Sequence, residues 1–238
     1  MFVKSSVKTR ILFENDTVLV INKVPGEDSE SCGIKTDWED GKFPAPVHRL
    51  DVPVSGCLLL ARTPEAASFL GTAFAQPAGG NGSGSIEKKY WAIIEMPEID
   101  LPPEGELIHW LWENGKANKA FTSPWTETPP KDSLKRMGPK KAVLRYRVSG
   151  KGDRYQFLEI DLVTGRHHQI RAQLAALGLH IKGDLKYGAR RSEKGGGIRL
   201  HAFSLAFPDP LDPVKIIRVK ALPPVMDALW EAFAASNG

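Results

Sequence analysis

Hydrophobic and polar positions along the chain sort into short apolar runs, alternations and breaker clusters. Thr17–Asn22 is a run of β-branched and aliphatic residues and predicts a strand, closed by the turn Val24-Pro25-Gly26. Residues 27–46 are polar, carry Gly and Pro, and read as loop. Ser55–Ala61 predicts a second, buried strand. Thr63-Pro64-Glu65 opens a helix, with threonine as cap, proline at the first helical position and an acid in the first turn. That helix runs through Ala66–Ala75 and stops before Pro77. Residues 78–85 (AGGNGSGS) have the composition of a flexible loop.

Lys89–Glu95 predicts a further strand, residues 97–105 a proline-rich connection, and Trp110–Phe121 a hairpin around Asn114-Gly115. Residues 122–139, with four prolines, return to loop. Ala142–Val148 and Tyr155–Leu162 alternate as half-buried strands do, with a turn over Gly150–Asp153. Thr164 or Gly165 is expected to cap a second helix, in which Ile170, Leu174 and Leu177 keep helical spacing. Gly178 stands where the end of that helix needs φ > 0. Ile198–Phe207 and Val214–Val219 predict late strands, and Pro224–Ala235 a closing helix. No repeat is visible, and no linker separates two cores. The expectation is one α+β domain over residues 1–238, with its core at about 12–222. It would have a mixed, mostly antiparallel sheet flanked by a few helices and long loops.

With 238 residues, 42% hydrophobic and 25% charged, the composition is that of an ordinary globular chain and excludes disorder, collagen and a disulfide scaffold. No apolar run approaches the ~18 residues of a membrane span. The opening MFVKSSVKTR lacks the apolar core of a secretory signal, so a cytoplasmic location is expected. Of the two cysteines, Cys32 reads as a loop residue and Cys57 as a small core residue. The net charge of +4 is mild but uneven. Residues 95–113 hold six acids and no Lys or Arg, whereas 131–171 hold eleven Lys and Arg against four acids, with Tyr146, Tyr155 and Phe157 interleaved. A basic stretch with aromatics suits a polyanion such as RNA, although a solvated strand face has the same composition.

Three polar clusters fall at element ends. His48-Arg49-Leu50-Asp51, followed by Ser55-Gly56, sets an arginine and a carboxylate just ahead of a buried strand, where a rigid scaffold holds them. The bland alternative is a surface ion pair. In Lys88-Lys89-Tyr90-Trp91-Ala92, period-2 alternation places Lys88, Tyr90 and Ala92 on one side. A tyrosine there can stack on a base or move a proton, or simply pack. Thr164-Gly-Arg166-His-His-Gln-Ile-Arg171 brings two guanidinium groups to a helix N-terminus, a place that favours anions. His167-His168 lacks the partners of a metal site, and His109, His180 and His201 are scattered and read as structural.

Together these clusters resemble the RluA-type RNA pseudouridine synthases. The likeness rests on His48-Arg-Leu-Asp51 with Ser55-Gly56, Lys88-x-Tyr90-x-Ala92 and Thr164-Gly-Arg-x-His-Gln-Ile-Arg171, followed by Gly178, Gly183-Asp184, Tyr187-Gly188 and Leu200-His-Ala202. Asn22-Lys23 resembles the family's opening strand, and the likeness covers roughly residues 12–222. It implies conversion of uridine in structured rRNA or tRNA to its C-glycoside isomer, without metal or cofactor. Asp51 would be the catalytic carboxylate, Arg171 its ion-pair partner and Tyr90 the residue against the target uracil. Arg49 would fill the gap left by an everted nucleotide, and His48, Lys88 and Arg166 would add substrate contacts. At ~4 Å and an effective dielectric near 20, the Asp51–Arg171 pair would contribute about 4 kcal/mol in Coulomb terms.

The family's Asn-Lys-Pro-x-Gly is Asn22-Lys-Val-Pro-Gly26 here, and Gln173 stands where many members have histidine. The small N-terminal RNA-binding domain of many relatives is not expected, so target choice would rest on loops such as 27–46, 78–85 and 122–139. RNA is the expected partner, with no membrane and no metal, and the chain is expected to be a monomer. Two rivals stand beside this reading. One is an RNA-binding or RNA-folding protein that keeps the scaffold without essential turnover. The other is a glycoside hydrolase, which wants a second carboxyl group that the sequence does not pair with Asp51.

Overall fold

The computed structural model describes residues 10–31, 44–76, 86–129 and 138–236. Cys32, the loop 78–85 and parts of loops 27–46 and 122–139 lie outside the described residues. The chain forms two compact units, residues 1–89 with 201–226 and residues 90–200 with 227–238. Each unit combines a sheet with helix, giving the α+β class.

The first unit holds β1 (Ile11–Glu14), β2 (Val18–Lys23), β3 (Ala45–Pro46), β4 (Ser55–Ala61), α1 (Pro64–Ala75), β10 (Leu200–Asp209) and β11 (Asp212–Lys220). The order is β1-β2-β4-β10, with β11 beside β10 and β3 beside β4. Only the β4–β10 pair is parallel among these pairings. Every residue of β4 is buried, which is why it reads as a continuous apolar run. Val18, Val20, Cys57, Leu59, Leu205, Phe207, Ile217 and Val219 form one core with Leu70 and Ala73 of α1. The helix starts as its sequence signals: Thr63 Oγ1 accepts the Ala66 N–H at 3.2 Å, and Pro64 occupies the first turn.

Gly56 has φ +117°, and a Cβ there would lie 2.3 Å from the Ala202 carbonyl oxygen. Only glycine lets β4 and β10 run this close.

The second unit holds β5 (Glu87–Glu95, from Tyr90 onward), β6 (Glu104–Asn114), β7 (Lys119–Pro124), β8 (Lys140–Lys151), β9 (Tyr155–Leu162), α2 (Gln169–Ala176) and α3 (Ala228–Ala235). The order is β5-β9-β8-β6-β7, and β9-β8-β6-β7 pair antiparallel. Helix α2 lies on this sheet through Ala172, packed with Leu111, Ala120, Ala142 and Tyr187. Phe233 of α3 packs on Trp91 and Phe157, with ring centroids 4.7 and 5.3 Å away.

The structure departs from the sequence pattern at α2. The helix begins at Gln169, not after Thr164 or Gly165. Thr164 Oγ1 is engaged elsewhere: it accepts the Val143 N–H at 2.9 Å and donates to Gln169 Oε1 at 2.8 Å. The same Gln169 Oε1 accepts the Arg166 N–H at 3.0 Å, doing from inside the helix what a cap does from outside. His168 takes the helix-cap position in a left-handed conformation, φ +53°. Two short strands, β1 and β3, were not visible in the pattern, and β6 begins within the stretch read as a connection.

Candidate active site

Asp51 is half-buried in a tight turn between β3 and β4, where its carbonyl accepts the Val54 N–H at 2.9 Å. Three braces fix this turn from the first unit. Lys23, at the end of β2, is fully buried and donates through Nζ to the carbonyls of Val24 (3.2 Å), Glu27 (2.8 Å) and Val52 (3.3 Å). A buried ammonium is tolerable only with such partners. The Gly26 N–H also reaches Val52 O at 2.8 Å, so the altered Asn22-Lys-Val-Pro-Gly26 loop still grips the residue after Asp51. Ser29 Oγ donates to Leu50 O and accepts the Leu50 N–H, both at 2.9 Å. Further along, Ser55 Oγ donates to His201 Nδ1 at 2.8 Å, while His201 Nε2 donates to Ala221 O at 2.9 Å. Burial holds His201 neutral, with its pKa pushed down to about 4.

His48 and Lys88 come together on a residue that sequence reasoning passed over. The His48 ring stacks on Phe74 of α1 at 4.7 Å and 18°, and Lys88 Nζ lies 5.7 Å from the centroid of the same ring. Burial first, and then the Lys88 charge, push the His48 pKa down to about 3. The geometry agrees, because Nε2 accepts the Leu59 N–H at 3.0 Å and cannot carry a proton there. His48 is therefore a neutral anchor. Arg49 beside it is exposed. Cys57 is buried, and its thiol is pushed up to about 12 by desolvation, so it is no nucleophile.

In the second unit Tyr90 is buried on β5, and so are Trp91 and Ala92. The alternation read in the sequence does not separate an inner from an outer face here, because both faces are covered. Arg166 is exposed, and its Nε donates to Lys141 O at 3.4 Å.

Arg171 sits in a run of six buried residues, Gln169 to Leu174, where polar and apolar residues are equally enclosed. Its guanidinium meets Asp184 side-on: Nε donates to Oδ2 at 2.6 Å and Nη2 to Oδ1 at 2.8 Å. Gln173 is buried too, and its Nε2 lies 3.0 Å from His109 Nδ1 and 3.1 Å from Leu107 O. The amide thus ties α2 to β6. Lys23, Phe74, Asp184 and Tyr187 gained no role from the sequence, since each meets a partner well separated along the chain: Val52, His48, Arg171 and Ala120.

The model of the RNA pseudouridylate synthase family matches residues 17–176. An uncharacterised RNA pseudouridine synthase of Zymomonas mobilis is 35% identical over 174 residues, covering 69% of this chain and 67% of that protein. The tRNA pseudouridine synthase C of Pectobacterium carotovorum is 28% identical over 244 residues, 93% of this chain, and the chain spans only 59% of its length. Among solved structures, human RNA pseudouridylate synthase domain containing 1 shares the fold at a TM-score of 0.69 and 21% identity, covering 100% of this chain and 98% of that one.

Proposed function

Since the chain belongs to the RNA pseudouridylate synthase family, isomerases that turn uridine into pseudouridine in RNA, we propose that it modifies specific uridines of structured rRNA or tRNA with Asp51 as the catalytic carboxylate. The reaction conserves atoms. The bond from N1 of uracil to the ribose breaks, the base turns, C5 bonds to the ribose carbon, C5 gives up its proton and N1 takes one. An ionised carboxylate serves this by attacking the ribose carbon, by attacking the ring, or by accepting a proton on the way to a glycal.

Arg171 is assigned as the ion-pair partner of that carboxylate, and Tyr90 to lie against the uracil and receive the C5 proton. Eversion of the nucleotide costs a few kcal/mol. Arg49, exposed and planar, is suited to filling the gap, with Lys88 and Arg166 on the phosphates. Synthases of tRNA and of large-subunit ribosomal RNA both stand among the relatives, which supports the substrate class. Among the described residues no helix is long and apolar enough to cross a membrane, and a monomer acting in the cytoplasm belongs to the same proposal.

The observation that carries the reading is the family match, which contains Asp51, Tyr90 and Arg171 together. The test is incubation with total RNA and mapping of new pseudouridines by carbodiimide adducts and primer extension, with Asp51→Ala as control. New sites made equally by both proteins would refute the role of Asp51. RNA affinity should also fall steeply with salt, and a flat titration would count against the RNA footprint.

A further inference from the structure

Arg171 is held from two directions at right angles. In its own plane Asp184 takes Nε and Nη2, both side chains being almost wholly enclosed, with 4% and 2% exposure. Against its face lies the ring of Tyr187, whose centroid is 4.9 Å from Cζ. That ring is itself pinned. Its hydroxyl accepts the Ala120 N–H of β7 at 2.8 Å and lies 3.0 Å from Nδ1 of His168, at the start of the helix that carries Arg171. Asp184 is fixed through its backbone, which accepts the N–H groups of Tyr187 (3.0 Å) and Ala189 (3.1 Å). A lone buried arginine keeps several rotamers and swings its planar guanidinium about the single bonds of the side chain. This one has its plane, tilt and height set by groups anchored to β7, α2 and the turn at 185–187.

We propose that Asp184 and Tyr187 are positioning residues of the isomerisation: they fix the plane of the Arg171 guanidinium, the group assigned above to the reacting carboxylate. The side-on grip is the reason: Nε and Nη2 are held in one plane by the two oxygens of Asp184. Lysine at 171 would keep the charge and lose this geometry. The inference rests on the isomerase reading above.

Two variants test it. Asp184→Glu keeps the charge pair but displaces the carboxylate by one methylene. Tyr187→Phe keeps the buried pair and the ring but cuts the ties to Ala120 and His168. A misplacement of about 1 Å costs on the order of 10²-fold in rate. Asp184→Glu should therefore lower kcat by roughly 30-fold or more, and Tyr187→Phe by roughly 10-fold. KM for RNA should stay within about threefold in both; the melting temperature should fall by several degrees with the fold retained, because the extra methylene crowds a closed site and the buried Ala120 N–H loses its acceptor. Cohesion alone would not split kcat from KM in this way.

Folded variants with kcat within about threefold of the parent, or a loss confined to KM, would overturn the proposal. So would a loss of folding in both variants, because the residues would then serve cohesion. A parent protein that makes no pseudouridine would instead fail the isomerase reading. An active parent with unchanged variants fails this proposal alone.

Discussion

Gly56→Ala isolates the close approach of β4 and β10. The added methyl carbon would meet the Ala202 carbonyl oxygen at 2.3 Å, its nitrogen at 2.6 Å and its carbonyl carbon at 2.7 Å, all of them backbone atoms that no side-chain rotation can clear. Two costs add. Holding alanine at φ +117° costs about 1–3 kcal/mol. Relieving the overlap separates the strands by about 1 Å, which weakens the parallel pairing at Ser55–His201 and Gly56–Ala202 and the buried bond from Ser55 to His201. Each weakened hydrogen bond loses up to about 1 kcal/mol. Together the destabilisation is about 3–5 kcal/mol. For a chain of this size that lowers Tm by roughly 10 °C.

Thermal melting by circular dichroism reads the effect. Gly71→Ala is the control of opposite sign, since that α1 position has nothing within 4 Å of an added Cβ; it should gain up to about 1 kcal/mol. A Tm for Gly56→Ala within about two degrees of the parent would refute the argument from strand approach.

Stability should fall with acid through His201. Burial depresses its folded pKa from 6.5 to about 4, so the unfolded chain takes the proton first. The contribution is complete above about pH 6.5 and is lost as pH falls towards 4, about 3 kcal/mol in all; urea midpoints at several pH values read this slope, and an equal slope in His201→Gln would contradict it. Tyr90→Phe should retain RNA binding and show severely slowed turnover in single-turnover assays, and full activity would mean that the hydroxyl has no chemical role.

Where the sequence stated local chemistry, the fold was legible. The Thr63-Pro64-Glu65 signal placed α1, Gly178 proved to have φ +72° after α2, and Tyr155–Leu162 is β9 to the residue. What misled was substitution of one partner for another. Thr164 looks like a cap, but it is spent on Val143, and a glutamine inside the helix satisfies the backbone ahead of it. The division into two units was hidden because the chain passes from one to the other within β5 and at the start of β10, where no linker composition can occur. The motifs gave roles to Asp51, Tyr90 and Arg171, while Lys23, Asp184 and Tyr187 stood in them without one and Phe74 stood outside them. Phe74 meets His48 from 26 positions away, and Asp184 and Tyr187 reach Arg171 from the turn beyond its helix.

The interleaving of the two units sets an order on synthesis. When residue 89 leaves the ribosome, β2, β4 and α1 exist, yet the part of their shared core formed by Leu205, Phe207, Ile217 and Val219 has not been made. At about 5–20 residues per second the nascent chain waits roughly six to twenty-six seconds with Val18, Val20, Leu59 and Leu70 uncovered. The second unit is in turn incomplete until Phe233 arrives to cover Trp91 and Phe157. The first unit closes only once residues 201–226 have been made, so the early strands are the stretch on which a holding chaperone would act.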